Sequence, residues 1–291
     1  MENCNLCPRN CNIKRAEKKG YCGEKARIRI SRADLHFWEE PCISGKNGSG
    51  AVFFTGCQLK CVFCQNYNIA NNIIGKEISA DELVEIFFGL KEKGAHNINL
   101  VTADHFIPQL CNAIKKAKTK GFSLPFVYNT SSYVKAETIK KLEGLIDVYL
   151  PDFKYQSPIL SKKYSNALDY PKIAKEAIDE MVKQQDNVVF EDGLIKKGVI
   201  VRHLVLPGSI SDSKKIMKYL YSTYGDKIYI SIMNQYTPVN ETKYPELNRK
   251  LYDYEYNEVL DFCDALGIKN AYIQGDGSAK EDFIPDFNLN D

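Results

Sequence analysis

Three cysteines lie within eight residues, directly after a predicted strand. The run from Ala51 to Thr55 is β-branched and aromatic, and Cys57, Cys61 and Cys64 follow it. Three thiolates can hold three irons of a 4Fe-4S cubane and leave the fourth iron open to a substrate or cofactor. Structural zinc is the alternative, although it usually requires four closed ligands. The spacing favours an iron-sulfur cluster with an open coordination site.

From residue 51 onward, strand-like and helix-like segments alternate along the sequence, as they do in repeated βα units. We predict strands at residues 51–55, 97–101, 126–128, 146–150, 199–204, 228–233 and 271–273. Ser79 and Glu82 form a capping-box pattern that predicts a helix from Ala80, and Pro171 predicts the first turn of another. About six units are present, against eight in a complete barrel. The pattern therefore indicates an α/β fold, a partial (β/α)6 TIM-like barrel, with a doubly wound sheet as the alternative.

Residues 1–50 lack this alternation of strand-like and helix-like segments, and they hold five of the ten cysteines. We expect a small Cys-rich metal-binding segment with a Gly-rich linker at 1–50, a barrel at 51–275 and an acidic tail at 276–291. Four thiolates can close a zinc site or hold a second 4Fe-4S cluster, and the spacing does not choose between them. His36 either lines the substrate mouth or is an ordinary surface histidine. The four N-terminal candidate ligands are Cys4, Cys7, Cys11 and Cys22.

Composition narrows the class of protein. The chain has 291 residues, 44% of them hydrophobic, and a net charge of +2, which predicts one principal domain and no affinity for nucleic acid. No run of 18 apolar residues and no signal peptide is visible, so we expect no membrane partner. Clustered cysteines without a signal peptide are typical of metal binding in a reducing cytosol. The sequence thus predicts a cytoplasmic protein.

The spacing of Cys57, Cys61, Phe63 and Cys64 resembles the C-x3-C-x-aromatic-C motif of the radical S-adenosylmethionine (SAM) superfamily. This resemblance implies that the open iron of a 4Fe-4S cluster binds SAM, which is cleaved reductively to a 5'-deoxyadenosyl radical. The radical then abstracts hydrogen from a substrate. An anaerobic oxidoreductase with an electron donor such as flavodoxin or ferredoxin is therefore implied, in a partial barrel of the radical SAM type.

The stretches 49–57 and 64–67 resemble more narrowly the activating enzymes of glycyl radical enzymes, especially the pyruvate formate-lyase activating enzyme-like (PflX) type. That resemblance implies a protein or peptide glycine as the hydrogen donor. One alternative is a radical SAM enzyme with a small-molecule or peptide substrate unrelated to glycyl radical enzymes. Another, from a different class, is a non-catalytic scaffold that binds zinc.

The same resemblance implies a set of residues near SAM. Asp152 and Lys154 match a D-x-K segment, and Arg202 begins a segment similar to R-x-x-x-x-P-G. Residues 100–106 replace the usual G-G-E-P, and residues 129–132 replace D-T-N-G. Lys and Arg can pair with the anionic groups of SAM, although a buried salt bridge that caps the barrel is the plainer alternative. The residues expected near the cofactor are Phe63, Thr102, Asp104, Asn129, Ser131, Asp152, Lys154, Arg202 and Gln235.

Overall fold

The computed structural model describes residues 3–274. The strands are β1 Ile28–His36, β2 Ser49–Phe54, β3 Lys76–Ile78, β4 Ile98–Val101, β5 Phe126–Thr130, β6 Val148–Pro151, β7 Val189–Glu191, β8 Leu194–Leu204, β9 Tyr229–Met233 and β10 Ala271–Ile273. The α-helices are α1 Pro41–Ser44, α2 Tyr67–Ala70, α3 Ala80–Glu92, α4 Ile107–Thr119, α5 Ala136–Ile139, α6 Pro158–Ser165, α7 Tyr170–Gln184, α8 Ile210–Tyr224 and α9 Asp253–Leu266. The predicted tail at 276–291 lies outside the described residues.

Strands and helices alternate along the chain, and the strands form one sheet in the order β10-β9-β8-β6-β5-β4-β2-β1-β3. From β10 to β2 all neighbours are parallel, whereas β1 joins β2, and β3 joins β1, in the antiparallel sense. Strand β7 pairs with β8 outside this path. Because β10 and β3 lie at its two ends, the sheet is open over residues 3–274. The α/β class and the open parallel sheet that the sequence predicted are confirmed.

All seven predicted strands are present, with ends that shift by a few residues. The largest change is in β8, which begins at Leu194 because its first residues pair with β7. Strands β1, β3 and β7 were not predicted. Strand β1 belongs to residues 1–50, so part of the expected N-terminal segment is a strand of the main sheet.

Helix α3 shows how local sequence sets an element boundary. Ser79 accepts a hydrogen bond from the Glu82 N–H at 3.1 Å, and the Glu82 carboxylate accepts one from the Ser79 N–H at 2.7 Å. This reciprocal capping box satisfies two helix-end donors, as the sequence predicted. Pro171 likewise lies in the first turn of α7. Within residues 3–274, no helix is both long and apolar enough to cross a bilayer.

Helix α1 packs on the inner face of the sheet, the face opposite the long helices. Cys42 and Ile43 are buried there against Val127, Val148 and Ile200. Side chains alternate along a strand, so the neighbouring Tyr128 and Tyr149 lie on the outer face, in the main helix-facing core. Burying a side chain such as Ile43 stabilises the fold by about 2 kcal/mol. The segment before β2 therefore lies under the middle of the sheet.

The N-terminal residues are attached to the barrel by arginine. Arg9 donates from Nε to the Gln58 carbonyl at 2.9 Å and from Nη2 to the Ser165 carbonyl at 3.0 Å. Its guanidinium lies over the rings of Tyr21 and Tyr133, 4.1 and 5.0 Å from their centroids. One side chain thus joins the Cys-rich segment, the loop after β2 and the end of α6.

Candidate functional site

A cavity of about 230 Å³ opens where the parallel strands end. Ligands of parallel α/β sheets bind at this edge because loops and strand ends converge there. All but one of the residues predicted to bind the cluster or SAM line the cavity; Asp104 is the exception, and the four N-terminal cysteines lie outside it. Those that line it are Cys57, Cys61, Phe63, Cys64, Thr102, Asn129, Ser131, Asp152, Lys154, Arg202 and Gln235.

The three cysteines of the loop after β2 face the cavity together. Burial, and then the neighbouring Cys61 thiol, raise the pKa of Cys57 to about 11, and burial with Cys57 and Cys61 raises that of Cys64 to about 12. The thiol of Cys57 accepts a hydrogen bond from the Leu59 N–H at 3.3 Å, and that of Cys61 accepts one from the Ser165 hydroxyl at 3.1 Å. A cationic group would favour the thiolate forms in this pocket.

Glycine is required just before the first cysteine. Gly56 has φ of +79°, and a Cβ atom there would lie 2.6 Å from the Cys22 carbonyl oxygen. The N-terminal segment therefore approaches the cluster loop more closely than any side chain would allow. Covalent geometry along this path limits the Cα atoms of Cys22 and Cys57 to a separation of at most about 10 Å.

The ring of Phe63 holds the cysteine loop in place through contacts with three tyrosines. It is 8% exposed, and its ring lies edge-on to Tyr155, Tyr164 and Tyr236 at centroid distances of 6.3, 6.4 and 6.1 Å. Edge-to-face aromatic pairs contribute about 0.5–1.5 kcal/mol beyond the area they bury. The aromatic position of the motif thus fixes the two cysteines that flank it.

Arg202 is the centre of a charged network along one wall. Its Nε donates to Asp152 Oδ1 at 2.9 Å, its Nη1 to Glu39 Oε2 at 2.9 Å and its Nη2 to Asn129 Oδ1 at 2.6 Å. Lys154 Nζ donates to Asp152 Oδ2 at 2.6 Å. Burial opposes ionisation of Asp152, but Arg202 and Lys154 together hold its pKa below the ordinary value. Asp152, Lys154 and Arg202 are therefore all charged at neutral pH.

The members of this network differ in what they can offer a ligand. Arg202 points three of its nitrogens at protein acceptors, which is the behaviour of the buried salt bridge considered from the sequence. Lys154 uses one of its three N–H donors on Asp152, so it retains donors for a bound anion. Arg202 therefore organises the cavity wall, and Lys154 is the cation of the network that keeps donors available.

Thr102 has a backbone conformation that threonine rarely adopts. Its φ is +61°, and its N–H donates to the Asn129 carbonyl at 2.9 Å. Residues in such regions cost roughly 1–3 kcal/mol and occur mainly at functional sites. The strain turns the chain sharply at the end of β4, on the rim of the cavity.

Asp104 does not line the cavity, so its expected place near the cofactor is not supported. The side chain is fully buried, and Oδ1 accepts hydrogen bonds from the hydroxyls of Tyr128, at 2.8 Å, and Thr130. Burial raises the pKa of this carboxyl. A 3₁₀ turn over residues 104–106 directs the side chain behind the strand ends, and the sequence pattern gave no sign of this turn.

Sequence reasoning missed two lining residues from the segment before β2. Trp38 and Glu39 line the cavity, and so does His36, for which this position was one of two alternatives. Burial, followed by the charges of Arg32 and Arg202, lowers the pKa of His36 to about 4, so it is neutral at pH 7. Glu39 and Glu40, the acidic pair before Pro41, were the sequence feature that could have indicated a functional role. Nothing in their spacing showed that this segment passes beneath the sheet.

The family model described as "Radical SAM superfamily" matches residues 51–219, more than half of the chain. The chain belongs to the radical SAM superfamily. Its members use a 4Fe-4S cluster and SAM, so the protein is a radical SAM enzyme. The matched region contains the cysteine loop, β4 to β6 and Arg202.

Two curated relatives are similar to this radical SAM protein. An uncharacterized protein of Methanocaldococcus jannaschii is 29% identical over 281 residues, which cover 94% of this chain and 77% of the relative. A pyruvate formate-lyase-activating enzyme of Clostridium pasteurianum is 24% identical over 183 residues, which cover 61% of this chain and 70% of the relative.

Among solved structures, Streptococcus suis SuiB bound to the precursor peptide SuiA has a TM-score of 0.49 at 16% identity. The match covers 75% of this chain and 46% of SuiB, so the radical SAM protein spans about half the length of that chain. Methylornithine synthase (PylB) has a TM-score of 0.48 at 16% identity, with 75% of this chain and 60% of PylB covered.

The cavity of this radical SAM enzyme fits the group that the superfamily uses. Over residues 3–274, no three His, Cys, Asp or Glu side chains are grouped closely enough to share one metal ion. A cubane does not require such a group, because each cysteine thiolate binds a different iron. Three half-buried thiols on one loop, with hydrogen-bond donors to two of them, are a suitable donor set for a cluster with one open iron.

The N-terminal cysteines lie near one another behind this loop. Burial, and then the Cys22, Cys11 and Cys4 thiols, raise the pKa of Cys7 to about 12. Cys11 accepts a hydrogen bond from the Tyr21 N–H at 3.2 Å. Two of these thiols, Cys7 and Cys22, are buried, and thiolates are the donors that thiophilic metals prefer. As they are placed within residues 3–274, the four thiols are not grouped closely enough to share one metal ion.

Proposed function

We propose that Cys57, Cys61 and Cys64 hold the 4Fe-4S cluster and that SAM binds between this cluster and the Arg202 network. The observation that carries the proposal is that the three thiols and the charged network line one cavity. When bound, the cluster would supply the electron that cleaves SAM to methionine and a 5'-deoxyadenosyl radical, which abstracts hydrogen from a substrate.

The charged wall suits the amino-acid end of SAM. Lys154 pairs with the SAM carboxylate, since its ammonium retains free donors and lies close enough to lower the pKa of Cys64. Asn129 and Asp152 supply acceptors for the SAM ammonium. Ser131 and Gln235, which are neutral and line the same cavity, offer hydrogen bonds to hydroxyl or ring nitrogen atoms.

Protein purified without oxygen provides the direct test. We expect at least four irons and four sulfides per chain, and we expect dithionite plus SAM to yield 5'-deoxyadenosine and methionine, measured by liquid chromatography and mass spectrometry. A colourless, zinc-only protein that leaves SAM intact would instead support the non-catalytic zinc scaffold.

For the substrate we propose a glycine of a protein or peptide, as in activating enzymes of glycyl radical enzymes. The support is the sequence resemblance at 49–57 and 64–67 and the similarity to a pyruvate formate-lyase-activating enzyme. Incubation with a glycyl radical protein, SAM and reductant should produce a glycyl radical doublet in the electron paramagnetic resonance spectrum. A small molecule or an unrelated peptide is the second candidate, indicated by SAM cleavage without that doublet.

We propose that Cys4, Cys7, Cys11 and Cys22 bind a second metal centre. Their proximity, and the few other buried side chains of residues 3–27, support a metal that helps this segment to fold. About four irons plus one zinc per chain would indicate structural zinc. About eight irons would indicate a second cluster, near enough to the first to relay an electron from flavodoxin or ferredoxin.

A further inference from the structure

Glu39 occupies the far end of the charged wall. Its carboxylate is 9% exposed and accepts hydrogen bonds from three side chains. Arg202 Nη1 donates to Oε2 at 2.9 Å, and Asn99 and Asn129 donate to Oε1 at 2.8 and 3.3 Å. These donors come from three strands, so Glu39 ties the segment beneath the sheet to the strand ends above it.

The wall has a defined order of charges. Of the two cations in the wall, Lys154 is the one close to Cys64, and Asp152, Arg202 and Glu39 follow it through direct contacts. The formal charges of the two cations and the two carboxylates cancel, so the wall has no net charge. SAM carries a sulfonium, an ammonium and a carboxylate, so its net charge at pH 7 is positive, and a wall with an excess positive charge would repel it.

The backbone of Glu39 is held in place. Its N–H donates to Ser44 Oγ at 3.1 Å, and Cys42 and Ile43, a few residues further on, are buried against the sheet. The carboxylate therefore projects from a fixed base, and the ion pair with Arg202 limits where the guanidinium can lie. Removing that ion pair would free one edge of the guanidinium to turn toward Asp152, and Asp152 could then release Lys154.

We propose that Glu39 is a positioning residue for SAM: acting through Arg202, it orients Asp152 and Lys154 and keeps the wall electrically neutral. This inference rests on the proposed function, because it assumes that SAM binds at this wall. The carboxylate of Glu39 itself contacts Arg202, Asn99 and Asn129.

Glu39→Gln keeps the shape of the side chain and removes its charge. The matched control is Glu180→Gln, because Glu180 is a buried carboxyl on helix α7 and does not line the cavity. Affinities for SAM and for S-adenosylhomocysteine, which lacks the sulfonium charge, are measured by calorimetry without oxygen. Iron content and melting temperature are recorded for each protein.

In Glu39→Gln we expect about tenfold weaker SAM binding, a loss of about 1.4 kcal/mol, and a loss for S-adenosylhomocysteine at least threefold smaller. The turnover number at saturating SAM should stay within twofold of the wild type, and Glu180→Gln should match the wild type throughout. Unchanged SAM affinity, or equal losses for both ligands, would overturn the inference. Failure of the wild type to cleave SAM would overturn the proposed function instead, whereas the two affinities test Glu39 separately.

Discussion

Arg9 donates a hydrogen bond from Nε to the carbonyl oxygen of Gln58, 2.9 Å away. Gln58 directly follows Cys57, so the N-terminal cysteine segment is attached to the loop that carries the proposed cluster ligands. The same guanidinium reaches the carbonyls of Ser165 and Asn166. All three contacts join protein atoms, so Arg9 holds the N-terminal cysteine segment beside the cluster loop.

Replacing Arg9 with alanine should loosen that attachment. Three carbonyls lose a charged donor and two aromatic rings lose a stacked guanidinium, so we expect the free energy of unfolding to fall by about 2 kcal/mol. Iron retention on gel filtration should fall as well. Chemical unfolding and iron analysis measure the two effects. Lys18→Ala, at an exposed position of the same segment, should match the wild type, and equal behaviour of both variants would contradict the prediction.

Cys61→Ala should abolish SAM cleavage and leave the protein folded. One thiolate of a three-ligand cluster is lost, and the cluster loop remains held by Phe63 and its three tyrosine neighbours. Product analysis after reduction, with circular dichroism as the check on folding, measures both outcomes. Cys111→Ser, on helix α4 outside the cavity, is the control and should cleave SAM normally. Wild-type cleavage by Cys61→Ala would falsify the cluster assignment.

Asp152 and Asp104 should respond differently to replacement by asparagine. Asp152→Asn removes the partner of two cations on the cavity wall, and we expect at least tenfold weaker SAM binding. Asp104→Asn retains an oxygen for the Tyr128 and Thr130 hydroxyls and does not face the cavity, so its SAM affinity should stay within twofold. Calorimetric titration of both variants measures this difference. Similar losses in both would show that Asp104 contacts the ligand after all.

Glu255 makes the stability of the folded protein depend on pH in acidic solution. The Arg249 guanidinium lowers the pKa of Glu255 to about 2, and the N–H groups of Tyr252 and Gly208 also favour its charged form. A carboxyl whose pKa is lowered by folding stabilises the folded state at every pH above its ordinary pKa of 4.5. This stabilisation is lost as the pH falls from 4.5 toward 2.

We therefore expect Glu255→Gln to lower the free energy of unfolding at pH 7 by about 1–3 kcal/mol and to flatten its decline between pH 4.5 and 2. Urea unfolding at several pH values measures both. Glu258→Gln, which breaks only an exposed pair with Lys214, should cost less than about 1 kcal/mol. A Glu255 variant with the acid profile of the wild type would contradict this account.

Sequence by itself determined the parts of this protein that depend on local order. The seven predicted strands, β2, β4 to β6 and β8 to β10, follow from hydrophobic periodicity, and the boundary of α3 follows from capping by Ser79. Both act over a few residues. The three cysteines and the Asp152–Lys154 pair are likewise visible because a motif fixes their spacing, and both line the cavity.

Tertiary structure decided what depends on distant contacts. Glu39 and Arg202 are 163 residues apart, and no pattern in either segment reveals that one lies beneath the other. Asp104 was expected at the cavity, and only the packing of Tyr128 and Thr130 around it turns the carboxylate inward. Periodicity and motifs report which face a residue takes within its own element, whereas the partner of a charge is set by which elements the fold brings together.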